Sequence, residues 1–152
     1  MTESTGERKG LGASRVGEPR VRVVAAVIRR AGRVLVARRP DGKRHAGLWE
    51  FPGGKVADGE SARDALAREL REELGVGLES HGPEICAFPD PGSEHSVHFH
   101  PVRILGSPRA IDHAELRWCD GEALASLDMA PADARVARFL VAELSGETHR
   151  GG

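Results

Sequence analysis

Cysteine is scarce in this sequence, long apolar runs are missing, and neither sign of charge is in surplus. Only Cys86 and Cys119 occur. Their spacing matches no metal-binding pattern, so a cysteine-built zinc site is excluded and both read as reduced, buried thiols. No apolar run approaches the length of a membrane helix. The amino-terminal segment lacks the apolar stretch of a secretory signal, which points to the cytoplasm. Lys plus Arg number 22 against 23 Asp plus Glu, a formal net charge of −1. That balance argues against a protein whose main business is gripping a nucleic-acid backbone, while leaving room for a locally basic nucleotide pocket. Tyrosine is absent, and aromatic residues make up 4% of the chain.

What is present is ordinary for a soluble globular protein, with 39% hydrophobic and 30% charged residues. At 152 residues the chain suits one domain with a real core. Residues 1–19 hold Gly, Ser, Thr and charges with almost no apolar content and are expected to be a disordered tail. A folded domain is expected over 20–145, with a frayed carboxy-terminal tail over 146–152. The β-branched run Val21–Ile28 reads as a strand buried on both faces, and Ala31-Gly32 turns it back into a second strand over Arg33–Ala37. Trp49-Glu50-Phe51 is a short strand ended by Pro52-Gly53-Gly54. Further strands are expected over Glu84–Phe88, Val97–Leu105 and Ala114–Trp118, with Pro101 marking an edge, bulge or break in the second of these. A short helix should span Gly121–Leu127. Pro131 opens an amphipathic helix with Val136, Phe139, Leu140 and Leu144 at core spacing.

The chain is organised around Gly54–Val76, GKVADGESARDALARELREELGV. Ser61 followed by Asp64 is a near capping box that should start a helix, and Gly75 is the expected stop. Within it Glu69, Glu72 and Glu73 share a face, while Ala62, Leu66, Leu70 and Leu74 lie on another and can dock on a sheet. Clustered carboxylates destabilise an isolated helix by roughly 0.2–0.5 kcal/mol per like pair. A bound divalent cation reverses that sign, and hard oxygen ligands suit Mg²⁺ or Mn²⁺ better than zinc. Taken alone, ARELREEL would be an ordinary solvated helix.

The full pattern is Gly54, five free positions, Glu60, seven more, then Arg68-Glu69-Leu70-x-Glu72-Glu73-x-Gly75-Val76. This resembles the Nudix box at every specified position. The flank Leu48-Trp49-Glu50-Phe51-Pro52-Gly53-Gly54-Lys55 is similar to the MutT branch. The resemblance covers roughly residues 21–144. It implies an α/β fold, a Nudix-type α/β/α sandwich with a mixed sheet, in a single domain. It implies a Mg²⁺-dependent (Mn²⁺ possible) hydrolase that cleaves nucleoside triphosphates to a monophosphate and pyrophosphate. By the same resemblance the metal ligands are Glu69, Glu72, Glu73 and the Gly53 carbonyl, with Gly54 and Glu60 in support. Glu69 is the first choice of base and Glu115 the second, Glu115 being otherwise a surface glutamate. Arg68 is expected to orient the glutamates by bidentate pairing, with Glu60 as one partner. Arg38 and Arg39 read either as a solvated loop or as phosphate contacts, with Arg39 favoured, and Lys55 is a further candidate for phosphate charge.

Phe51 matches an aromatic that packs beside the base, and Asp133 a residue that hydrogen-bonds it. Their bland alternatives are core packing and a helix-dipole partner. With two of six aromatics standing at Trp49 and Phe51, a binding role gains weight. An ionised Asp133 would accept only, and guanine's N1–H and 2-amino group offer it two adjacent donors. 8-oxo-dGTP is therefore the expected substrate, with cytosine nucleotides second. ADP-ribose is a third reading, and a nucleotide-sensing module that only binds is a fourth. Cleavage of dinucleoside polyphosphates is disfavoured because its usual tyrosine marker cannot exist here. His95, His98 and His100 read as a solvated or pocket-wall face, or as a zinc site. The partner expected is a small nucleotide, with no nucleic acid and no membrane, in a monomer or homodimer.

Overall fold

The structure is a computed structural model that describes residues 21–151, with side chains through residue 146. The tail expected over residues 1–19 lies outside the described residues.

A mixed sheet forms the centre. Strand β1 (Val21–Arg30) pairs antiparallel with β2 (Arg33–Arg38) through the Arg29–Val34 and Arg30–Arg33 register of a tight hairpin. β2 carries β3 (Trp49–Glu50) on one side and β8 (Glu115–Cys119) on the other, both antiparallel. β1 also receives β4 (Gly53–Lys55) antiparallel and β7 (His95–Leu105) in parallel, from Val21 opposite His95 to Ile28 opposite Val102. β5 (Gly77–His81) and β6 (Cys86–Pro89) pair antiparallel with successive parts of β7. Central β1 has Val24 to Ile28 buried in unbroken succession, as its non-alternating sequence requires of a strand covered on both faces.

Three helices cover the faces. Helix α1 (Ala62–Leu74) begins where the Ser61 side chain accepts from Asp64 N at 3.1 Å. It ends at Gly75, whose φ of 69° lets its N–H close back onto Leu70 and Arg71 carbonyls. Leu66, Leu70 and Leu74 are fully buried against Val24, Ala26, Ile28 and Leu35 of the sheet. Each such side chain contributes about 1.5–3 kcal/mol by leaving water, so α1 is fixed by its apolar stripe and its acidic face is free for chemistry. Helix α2 (Gly121–Ala125) is capped by Asp120. Helix α3 (Pro131–Gly151) packs Val136, Leu140 and Leu144 into the opposite core with Val27, Val34 and Phe99.

One expectation is corrected, and two more can be set beside the structure. Phe139 is 63% exposed rather than buried, because the stripe of α3 runs through Ala132, Val136, Leu140 and Leu144 and 3.6-residue periodicity carries position 139 off it. The α3 backbone stays helical to Gly151, past the frayed tail expected from 146, since Gly146 takes no left-handed conformation that would end it. Pro101 does not break β7. It lies between Phe99, the last partner of β6, and Val102, the last partner of β5, where no antiparallel neighbour needs its N–H.

Candidate active site

Two glycines seat β4 beneath the acidic helix. A Cβ on Gly53 would lie 1.9 Å from the Val24 carbonyl oxygen, and one on Gly54 would lie 2.2 Å from a Glu69 carboxylate oxygen. No side chain fits at Gly53, where the clash is with backbone, and one at Gly54 would push the Glu69 carboxylate out of place.

Around that seat the carboxylates of α1 are held by a network. Arg68 forks onto Glu60, donating from Nε to Oε2 at 2.9 Å and from Nη2 to Oε1 at 2.8 Å. Its Nη1 donates to Glu69 at 2.9 Å, and its Nη2 also reaches the Lys55 carbonyl at 3.0 Å. The hydrogen bonds from Arg68 hold Glu60 down to about 2, and Glu60 in turn raises Arg68. Glu69 and Glu73 are largely buried, at 14% and 13% side-chain exposure. Gly53 N lies 3.4 Å from Glu73 Oε1. Burial pushes Glu73 well above the usual carboxylate range, and its hydrogen bond to Glu69 adds to the shift. Glu72 differs: it is 56% exposed and stands 3.6 Å from Arg68.

The structure adds two residues that sequence reasoning missed. Glu50 accepts from Arg39 Nη1 on both oxygens, at 3.0 and 3.2 Å, and meets His113 Nε2 at 2.8 Å. His113 is 5% exposed, stands 4.0 Å from Glu73, and keeps Nδ1 buried without a partner among the described residues. Arg109 N to the Leu74 carbonyl (2.9 Å) and Ile111 N to the Glu73 carbonyl (3.1 Å) bring its loop to the end of α1. Glu50 stood in the flanking motif and could have been found there; nothing in the sequence singles out His113.

Beside this network opens a cavity of about 340 Å³. Gly53, Gly54, Lys55, Phe51, Ala130 and Asp133 line it, with Arg39, Arg44 and His45 as further wall and Glu50 its one glutamate. Phe51 N donates to Asp133 Oδ2 at 2.8 Å. Trp49 bonds Asp128 O and Ala130 N on either side of Met129, which sets the start of α3 against β3 and so places Asp133 at Phe51. Burial pushes Asp133 up to about 8, with the charge of Glu50 adding to the effect, so the carboxyl is mainly neutral at pH 7. Asp90 also lines the cavity. Burial alone would raise it, but His45 and Arg44 outweigh that and hold it below its ordinary value.

Other expected residues lie apart. Arg38 and Glu115 pair across β2 and β8 at 3.5 Å, Arg117 adds a second bond to Glu115 at 3.1 Å, and neither Arg38 nor Glu115 lines the cavity. His98 spends Nδ1 on Glu84 (2.6 Å) and Nε2 on Ser96 (2.9 Å), while His100 packs edge-on to His81 and His95 lines the cavity wall. Among the described residues no three His, Cys, Asp or Glu side chains converge to hold an ion as they stand. A larger open groove of about 870 Å³ lies along β5 and β7.

A mixed sheet between helices, with buried carboxylates on a helix packed against a glycine-built strand, is the arrangement that the Nudix resemblance implied. Residues 18–140 match the NUDIX domain model. The chain is 42% identical over 116 residues to a CTP pyrophosphohydrolase of Escherichia coli, covering 74% of this chain and 85% of that protein. It is 40% identical over 138 residues to a putative 8-oxo-dGTP diphosphatase 2 of Mycobacterium tuberculosis, covering 84% and 95%. A MutT structure from work on Aliivibrio salmonicida and Vibrio cholerae superposes with a TM-score of 0.70 at 31% identity, covering 81% of this chain and 98% of that one. The chain belongs to the Nudix family and is a MutT-like Nudix hydrolase.

Nudix hydrolases generally use divalent metal ions. The residues here fit one. Glu69 and Glu73 lie together in a buried place, where burial and the neighbouring carboxylate raise Glu73, and a hard cation would relieve that repulsion.

Proposed function

We propose that the protein hydrolyses nucleoside triphosphates, oxidised ones such as 8-oxo-dGTP among them, to the monophosphate and pyrophosphate, with Mg²⁺ or Mn²⁺, and so cleans the nucleotide pool. The observation that carries this is a cavity lined both by the glycine strand that packs against Glu69 and by the buried hydrogen-bonding acid Asp133. Glu69, Glu73 and the Gly53 carbonyl would hold the metal, joined by Glu72 on turning away from Arg68. When bound, the cation neutralises phosphate oxygens and acidifies water. Glu69 would take the water's proton, its carboxylate held by Arg68, which is itself held by Glu60. Glu115, engaged by two arginines, loses ground as the alternative base. Arg39 and Lys55 supply positive charge toward the phosphates, and Phe51 walls the base.

Base choice follows from Asp133. One oxygen already accepts from Phe51 N, and the neutral acid offers a donor beside an acceptor instead of two free acceptors. Guanine suits both forms: N1–H with O6 pairs with the acid, and N1–H with the 2-amino group pairs with the carboxylate. Cytosine suits only the acid, because N3 must receive a proton. A second reading, CTP or a modified dCTP, is therefore supported by the neutral state of Asp133. A panel of 8-oxo-dGTP, dGTP, CTP, dCTP and ADP-ribose tests the assignment. 8-oxo-dGTP should lead and keep its kcat/KM from pH 7 to 9, while cytosine turnover should fall about tenfold as Asp133 ionises. Preference for ADP-ribose, or identical pH profiles for both bases, would overturn this reading.

A further inference from the structure

The cavity wall formed by loop 40–47 is held by one buried carboxylate. Asp90 is 8% exposed. Its Oδ2 accepts from Arg44 Nε at 3.2 Å and its Oδ1 meets His45 Nε2 at 3.1 Å. Arg44 Nη2 adds a bond to the Pro91 carbonyl at 2.8 Å. The carboxylate is itself anchored on the turn between β6 and β7. Ser93 Oγ donates to Asp90 O and Oδ2 at 2.9 and 3.2 Å, and Asp90 N donates to His95 O at 3.0 Å.

The grip is under tension and is passed on. His45 has φ of 60°, the left-handed region, without being glycine. Such a conformation is uncommon outside glycine and persists where the surroundings over-determine it. The described bonds that do so are Asp90 on the ring and Leu48 N on the His45 carbonyl at 3.1 Å. The Arg44 carbonyl then accepts from Arg39 Nε, and Arg39 Nη1 forks onto Glu50. One hydrogen-bonded chain therefore runs from Asp90 through Arg44 and Arg39 to Glu50, beside the carboxylates of α1.

We propose that Asp90 is a positioning residue for substrate binding: it fixes loop 40–47 as a wall of the cavity and, through the Arg44 carbonyl, holds Arg39 against Glu50 at that wall. The proposal rests on reading this cavity as the nucleotide site. It also accounts for a carboxylate lining a site meant for a polyanion, since Arg44 and His45 cover that charge.

The test uses the full chain with Asp90→Asn, Asp90→Ala, Arg44→Gln and the Asp90→Asn/Arg44→Gln double variant, each checked for a cooperative melt. Without nucleotide, trypsin should cut after Lys43 and Arg44 about tenfold faster in Asp90→Ala, with Asp90→Asn between it and wild type. With the best nucleotide of the panel, KM should rise about tenfold in Asp90→Ala while kcat changes less than threefold. Asp90→Asn and Arg44→Gln should be far from additive, because they remove one link. Wild-type cleavage of the loop, a loss confined to kcat, or additive effects would overturn the proposal. If Asp90→Ala fails to fold, Asp90→Asn carries the same test. Faster loop cleavage in a protein that hydrolyses no nucleotide would sustain the anchoring and overturn the substrate reading, whereas an active enzyme with an unaltered loop would do the reverse.

Discussion

Replacing Asp133 by Asn should stabilise the protein, and the gain should depend on pH. Asn keeps the size of the side chain and an oxygen for the Phe51 N–H, but cannot ionise. Asp133 titrates at about 8 when folded, against 3.8 for an unperturbed aspartate. As pH rises through about 4, the unfolded chain ionises this group while the folded chain does not. The unfolded state gains, and folding stability is lost progressively until about pH 8, above which both states are ionised. At about 1.4 kcal/mol per pKa unit, the three units between the unfolded value and pH 7 bound the penalty at roughly 4 kcal/mol. Because the effective dielectric around even a buried group is far from that of a dry interior and the Phe51 N–H still serves the carboxylate, the realised gain for Asp133→Asn should be about 1–2 kcal/mol. That corresponds to a Tm higher by about 3–10 °C at pH 7 for a domain of this size. Thermal melts followed by circular dichroism from pH 4 to pH 9 give the answer. The two proteins should melt together at pH 4 and diverge toward pH 8. A difference that is constant in pH, or a variant that loses stability relative to wild type as pH rises, would refute the burial argument.

Glu72→Gln and Glu73→Gln preserve helix propensity and size, so far-UV spectra should stay close to wild type while the rate falls by several orders of magnitude. Glu72→Gln should melt like wild type, and Glu73→Gln, freed of a buried carboxyl whose pKa is raised, should melt higher at neutral pH. Wild-type turnover in either variant, or in excess EDTA, would defeat the metal assignment, and Glu72→Gln in particular asks whether that exposed glutamate turns inward. Arg68→Lys replaces a planar fork by a point charge and cannot pair Glu60 on both oxygens while reaching Glu69. Its kcat should drop about ten- to a hundredfold, and an unchanged kcat would show that the fork does not orient Glu69. Leu70→Ala empties a fully buried position between α1 and the sheet and should cost about 2–5 kcal/mol in denaturant titrations. A loss under 1 kcal/mol would mean that the α1 stripe is not what seats the helix.

Features encoded locally could be read from the chain. The limits of α1 follow from Ser61 and Gly75, whose capping groups lie within a few residues of the backbone they satisfy. The paired glycines before the helix, the hairpin at Ala31-Gly32 and the proline opening α3 are equally local. Other features depend on what the fold brings alongside. Pro101 is tolerated mid-strand only because β5 and β6 part at that point, and nothing near residue 101 states that. Phe139 matched an apolar period, yet the true stripe lies along Val136, Leu140 and Leu144. For the site, the glutamates of α1 were legible as a motif, while their states were not. Glu69 and Glu73 meet in a buried place, Glu72 turns out to Arg68, and Asp133 is neutral through burial beside Glu50. His113 and Asp90 enter from distant segments and carry no motif, so only tertiary structure assigns them a place.

The central claim is that the carboxylate network directs water at the β-phosphorus of a nucleoside triphosphate. Hydrolysis of 8-oxo-dGTP with Mg²⁺ in ¹⁸O-labelled water, with the products separated and weighed by mass spectrometry, tests it most directly. The account predicts equal amounts of nucleoside monophosphate and pyrophosphate, with the label in pyrophosphate. Label in the monophosphate, or release of inorganic phosphate and a diphosphate, would contradict it.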